Sequence, residues 1–184
     1  KTNKGTHRVH LTKEVVGSEN NVTLSYGIES PKEKCVIDTG SGDGVVSVTR
    51  DGGKTWNNIT PASLAECLIN AIEVSPFDNA TAYIATTRYK FNDHTPGLYK
   101  TTDYGKTWIK IDNGIPNGAF TRVIREDDKR KDLLFAGTET GMYISLNCWK
   151  NTTPFQFNLP VTPITRLNII QGNLITAHTG SAFC

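Results

Sequence analysis

Nowhere in this 184-residue sequence do the ~18 apolar residues needed for a membrane-crossing helix run together. An apolar segment behind a charged N-terminal region, as in a leader peptide, is missing too. There is no initiator methionine, so the sequence reads as a processed product or a piece of something longer. Charge of one sign is also scarce: 20 Lys and Arg stand against 18 Asp and Glu, for a net of +2. That excess is too small to argue for nucleic acid or an anionic membrane surface, since a phosphate-binding protein concentrates a basic patch on one face. The densest charge run, at 125–132, mixes both signs and suits a solvated connection between strands. Neither a membrane span nor a nucleic-acid partner is expected.

Catalytic signatures are equally thin. The chain holds no G-x-S-x-G elbow, H-E-x-x-H pair, P-loop or dinucleotide fingerprint. Gly40-Ser-Gly-Asp-Gly44 superficially resembles a phosphate loop, but it falls in a strand-to-strand turn without a helix dipole behind it. The four cysteines, Cys35, Cys67, Cys148 and Cys184, lack the C-x-x-C or C-x-x-H spacing of a zinc site. Their even number permits two disulfides without requiring them. No metal and no cofactor is expected. Four N-x-S/T sequons, at Asn21, Asn58, Asn79 and Asn151, suit an extracellular, secretory or periplasmic protein.

What the sequence does contain is a repeat. Thr49-x-Asp51-x-Gly53-x-Thr55-Trp56 recurs as Thr101-x-Asp103-x-Gly105-x-Thr107-Trp108, and an eroded third copy carries Ser145 and Asn147 at the equivalent places. The runs beginning at Cys35, Ala82, Leu133 and Leu174 occupy matching positions, each a short β-prone segment ending in small or turn-forming residues. Four short strands per 40–50 residues is the period of a propeller blade. The chain is therefore read as all-β: about three and a half four-stranded blades at 23–60, 68–112, 120–159 and 165–184, the last incomplete. Residues 1–22 form an extension or the edge of a preceding blade.

The repeated motif fits a tight reversal between the third and fourth strands of a blade. An Asp carboxylate accepts backbone N–H groups across such a turn, Gly supplies the left-handed backbone, and the Thr hydroxyls bond locally. Trp56 and Trp108 are expected to pack between sheets. Trp149 stands at the Gly position of the third copy and Thr152 at the Trp position, so that turn is expected to be built differently.

Together with Asn113-Gly-Ile-Pro116, the run at 121–126 and Ala136-Gly-Thr-Glu-Thr-Gly141, these motifs resemble the Asp-box, or bacterial-neuraminidase-repeat, propellers of sortilin-type and glycosyl hydrolase-like proteins. The resemblance covers about 10–182. It implies a fold shared by sialidases, xyloglucan-cleaving glycosidases, sortilin receptors and photosystem-assembly factors, and thus implies architecture more narrowly than function. It also implies more blades than this chain supplies.

Alternation of strand direction puts the loops between strands two and three, and between blades, on the face opposite the Asp motifs. Asp43, Arg88, Tyr89, Lys90, Asp93, His94, Glu139 and His178 collect there as the candidate ligand face. The richest cluster lies on a long loop spanning 86–97, which otherwise covers the adjacent blade with Tyr89 and Phe91. No catalytic residue is assigned. The leading expectation is a non-catalytic binding or assembly module whose partner is another protein or further copies of itself completing the propeller. A carbohydrate-active hydrolase fragment is the alternative, requiring two of Asp43, Asp93 and Glu139 to converge or Arg88, Arg122, Arg125 and Arg166 to gather around a substrate carboxylate. A structural subunit joined through edge strands is the third.

Overall fold

The computed structural model describes residues 24–150, 152–156, 160–170 and 172–178. The described chain is all-β, and its strands pair only with sequence neighbours. The first antiparallel sheet holds β1 (Leu24–Glu29), β2 (Ile37–Ser41), β3 (Val46–Thr49) and β4 (Asn57–Asn58); the second holds β5 (Leu68–Val74), β6 (Ala82–Arg88), β7 (Asp93–Thr101) and β8 (Ile109–Lys110). The third holds β9 (Thr121–Glu126), β10 (Leu134–Thr138), β11 (Gly141–Ser145) and β12 (Thr152–Pro154), while β13 (Ile164–Ile170) and β14 (Asn173–His178) form a two-stranded fourth. The first strand of each sheet packs on the first strand of the next, from β1 to β5 to β9 to β13. This is a partial β-propeller.

Burial follows from how many neighbours a sheet has. β6 and β10 lie in sheets sandwiched on both sides, and their residues are buried almost without alternation. β1 belongs to a sheet with a neighbour on one side only among the described residues, and it alternates between exposed and half-buried. Ile69, Ile72, Ile84 and Val46 fill the space between the first two sheets. Leu98, Val123, Ile124, Leu134, Ile164 and Leu167 fill the space between the later ones.

A small residue on the second strand controls how closely each next sheet approaches. Gly40, Ala85, Gly137 and Ala177 occupy equivalent register positions, opposite Tyr26, Ala71, Val123 and Arg166 on the first strands. A Cβ at Gly40 would lie 2.5 Å from the Ile69 side chain, and one at Gly137 would lie 2.7 Å from both Ile164 and Val123. Gly137→Ala is expected to cost about 1–3 kcal/mol through overpacking, read as a lower urea midpoint at unchanged slope. An unaltered midpoint would mean that the third and fourth sheets are not in contact there. The same register corrects the alignment of the second-strand runs: Ile37, Ala82, Leu134 and Leu174 are the true equivalents, so the runs begun at Cys35 and Leu133 are displaced by two residues and one.

Each first strand also carries one extra residue at the same place. Ser25, Asn70, Arg122 and Thr165 are skipped by the pairing with β2, β6, β10 and β14. A bulge adds twist and re-aims the side chains beside it. Its repetition in all four sheets sets the start of every inner strand, on the face opposite the Asp turns.

Candidate functional site

The two Asp turns are superimposable in their bonding. Asp51 Oδ1 accepts from Thr49 Oγ1 at 2.8 Å and from the Thr55 N–H at 2.9 Å, and Oδ2 accepts from Thr55 Oγ1 at 2.6 Å. Asp103 repeats these contacts with Thr101 and Thr107 at 2.8, 2.9 and 2.6 Å. Thr49 Oγ1 and Thr101 Oγ1 each accept the N–H of the motif glycine, Gly53 or Gly105, at 2.9 Å. The Thr55 and Thr107 hydroxyls and backbone amides hold both carboxyls down at about 2. These aspartates are spent on the turn.

The third turn keeps the same backbone, contrary to the expectation of a different build. Gly52 and Gly53, Tyr104 and Gly105, and Cys148 and Trp149 are consecutive positive-φ pairs. Ser145 Oγ accepts the Trp149 N–H at 2.7 Å, just as threonine does elsewhere, and stands 3.4 Å from Asn147 Oδ1. Trp149, at 2% exposure, is inserted into the core at φ 68°. Burial of the indole offsets a conformation that glycine adopts without strain.

Trp56 and Trp108 share a motif but not an environment. Trp108 is half-buried, packs on the core between the first two sheets, and donates its indole N–H to Ile59 O at 2.7 Å. Gly105 comes so close to Ile59 that a Cβ would sit 2.6 Å away, and Arg50 lies 4.0 Å over the Tyr104 ring. The second turn thus docks on the first sheet. Trp56 is 47% exposed. Its expected place between sheets is not filled, because no sheet among the described residues precedes the first.

On the opposite face, the stretch 86–97 is not a loop. β6 and β7 remain paired up to Arg88 and Asp93, joined by one 3-10 turn at Tyr89–Phe91 and a left-handed Asn92 at φ 56°. Arg88 binds Asp93 at 2.5 Å and donates to Glu66 O at 2.9 Å. Thr95 donates to Asp93 through its hydroxyl at 2.7 Å and its N–H at 3.0 Å. Those Thr95 bonds, then Arg88, keep Asp93 below the usual carboxylate range. Tyr89 and His94 lie against Phe120, the residue before β9, with ring centroids 6.1 and 5.7 Å away. Arg122 sits over the same ring and binds Glu139 at 2.6 Å. Phe91 stays 47% exposed.

Of the candidate residues, then, Tyr89, His94 and Glu139 converge around Phe120, and Arg88 and Asp93 brace the hairpin beneath them. Lys90 lies on the 3-10 turn. Asp43 stands apart, accepting a hydrogen bond from Ser41 beside a hollow lined by Leu24, Thr39 and Val45. His178 closes β14 opposite Ile164, with its side chain outside the described residues. Asp43, Asp93 and Glu139 are each engaged by a different partner: Ser41, Arg88 with Thr95, and Arg122, respectively. Cys35, Cys67 and Cys148 are free thiols, and Cys184 lies outside the described residues. No cluster of metal-binding side chains occurs among the described residues, and no described helix is long and apolar enough to cross a membrane.

A recess lies where the four inner strands begin. A cavity of about 380 Å³ is lined by Tyr26, Asn70, Val123, Arg125, Arg166 and Asn168 among others. Arg125 is fixed by four acceptors: Leu167 O at 3.0 Å, Ile124 O at 2.8 Å, Glu73 Oε2 at 3.1 Å and the Tyr26 hydroxyl. Burial pushes Glu73 up to about 7, against the pull of Arg125. Arg166 is exposed at the rim. Two arginines line the recess; Arg125 is already paired with Glu73, which leaves the Arg166 guanidinium at the rim as the group placed to meet an anion. The sequence spacing of Arg125 and Arg166 does not bring them together. Their one signal is a polar residue amid each β-prone inner strand.

A partial propeller with an arginine-lined axial recess is thus the class of protein that fold and geometry define. No family model and no curated protein matches the chain. Solved structures do. The chain is similar to a YCF48 bound to a D1 peptide, with TM-score 0.57 and 20% identity over 82% of this chain and 50% of that one. It is also similar to YCF48 from Cyanidioschyzon merolae, with TM-score 0.55 and 20% identity over 71% of this chain and 36% of that one. A GH74 enzyme of Niastella koreensis matches with TM-score 0.66 and 17% identity over 84% of this chain and 26% of that one. At such identities the likeness is one of fold. The chain spans half or less of the length of each of these structures.

Proposed function

We propose that this chain is a non-catalytic β-propeller binding and assembly module of the Asp-box, sortilin-like kind, working outside the cytoplasm and completed by further blades from a protein partner or from other copies of itself. The contrast between Trp56 and Trp108 carries this reading. The second sheet's tryptophan is seated on the sheet before it, and the first sheet's identical tryptophan is 47% exposed. Leu24, Ile170 and Ile175 add exposed apolar area on the first and fourth sheets, and exposed apolar patches together with an open strand edge favour association. The bulged inner-strand starts and the arginine-lined recess supply the surface on which a partner's acidic group would rest. The peptide named with one YCF48 structure fits such a protein-binding role.

Light scattering on the purified chain tests it. A defined oligomer, converted to smaller species by Trp56→Glu, is the expected result. A stable folded monomer, indifferent to that substitution, would end the assembly reading and return attention to carbohydrate ligands.

A further inference from the structure

The second and third sheets are clamped by a contact in which a lysine ammonium meets a thiol. Lys100, on β7, donates from Nζ to Cys148 Sγ at 2.9 Å and to Asp132 Oδ1 at 3.2 Å. Its side chain is 15% exposed, and Nζ lies 5.5 Å over the Tyr83 ring. Cys148 belongs to the third turn, where its N–H donates to Asp132 O at 3.1 Å. It is held at φ 53° and only half-buried. Burial alone would lower the basicity of Lys100. The bond to Cys148 and the charges of Cys148 and Asp132 outweigh it, so the amine is held above its usual range. At the equivalent positions the first turn has Gly52 and the second Tyr104, so neither the turn nor the docking geometry needs sulfur here.

We propose that Cys148 and Lys100 form an oxidative modification site, at which a hydroperoxide oxidises the sulfur and Lys100 then traps it as a covalent S–N link between the second and third sheets. In the first step the thiolate attacks a peroxide oxygen and the O–O bond breaks. Sulfur loses two electrons, and hydroxide leaves and is protonated to water, giving a sulfenic acid. In the second, Lys100 gives up a proton to Asp132 or solvent, and its nitrogen attacks sulfur. The S–O bond breaks, and the hydroxyl leaves as water with a second proton from the nitrogen. One hydrogen peroxide is consumed, two waters form, and the product has two hydrogens fewer than the reduced pair. One thiol attacks sulfur and releases the amine, leaving a mixed disulfide, and a second thiol attacks that disulfide to restore the Cys148 thiol. The link would add a covalent tie to the apolar core that the second and third sheets already share.

The test is peptide mass mapping after exposure of the folded chain to hydrogen peroxide, with and without later reduction by a thiol. A linked species containing Lys100 and Cys148, about 2 Da lighter than the sum of the reduced peptides and restored by reductant, is expected. Lys100→Arg keeps the positive charge for packing but removes the nucleophilic amine; in it, Cys148 should instead be captured as sulfenic acid by dimedone. Lys100→Gln, which lacks the amine altogether, should likewise give no linked species, with Cys148 recovered only in unlinked oxidised forms. The proposal fails if oxidised wild-type protein shows only unlinked Cys148 sulfenic or sulfinic acid, a disulfide to another cysteine, or a Cys148 no more reactive than buried Cys67.

Discussion

Trp108→Ala is expected to lower the unfolding free energy by about 3 kcal/mol, and Trp56→Ala by less than about 1 kcal/mol, when each is measured as isolated chain in urea. The two residues occupy the same motif position, so the difference isolates what the neighbouring sheet contributes. Trp108 loses its packing between the first two sheets together with a 2.7 Å bond that leaves Ile59 O without its donor. Removing a large aromatic from a packed site costs about 3–5 kcal/mol, and partial exposure of this one places it at the lower end. Trp56, 47% exposed, forfeits little. If both substitutions cost the same, the second turn does not dock on the first sheet as described. In the assembled state the ordering should narrow, because Trp56 then gains the contact that Trp108 already has.

Asp38→Asn is expected to stabilise the protein at neutral pH, by up to about 3 kcal/mol, and to leave it unchanged near pH 3.5. Asp38 is 6% exposed where the first sheet meets Tyr104 and Gly105 of the second. Burial pushes its carboxyl up to about 6, and Arg50, nearby but also engaged with the Tyr104 ring, only partly opposes this. A folded-state value above the unfolded one means that the protonated form is favoured by folding. The stabilising protonation is therefore complete below about 4 and lost as pH rises through about 6. Glu73, pushed up to about 7 by burial, acts in the same direction over a slightly higher window. Asp51 and Asp103, held down at about 2, act oppositely, and their contribution is lost as pH falls below about 4. Thermal stability of the wild type should accordingly peak in mildly acidic solution. A melting temperature for Asp38→Asn equal to wild type at pH 7.5 would show that water reaches this carboxylate.

The parts of the molecule that were legible in sequence are those whose physics is local. Two threonines, an aspartate and a glycine within seven residues make the side-chain bonds of the turn, so its position between third and fourth strands could be read directly, and the spacing of two turns then gave the blade period. The hairpin at 86–97 was misread because its composition is polar. Arg88 and Asp93 pair across it and extend the ladder by charge rather than by apolar patterning. Trp149 shows the converse: a side chain at a glycine position predicts a turn built differently, whereas burial of the indole sustains the same left-handed backbone. The axial recess could not be read at all. It is assembled from single polar residues on strands some 40 or more positions apart, and only the bulge shared by Ser25, Asn70, Arg122 and Thr165 brings their neighbours to one level.

The small residue repeated at Gly40, Ala85 and Gly137 gives this array a direction. Each sheet presents it on one side and receives the next inner strand there, so the contact is heterologous: the two surfaces that meet are different, and a copy of the chain cannot satisfy both by a twofold rotation. Ala177 presents the same surface with nothing docked among the described residues, as Trp56 does at the opposite end. Copies joined by this rule stack head to tail. Whether they terminate as a ring or continue as a fibre is then decided by the turn angle between successive sheets, a property set by the volume of one side chain on the second strand.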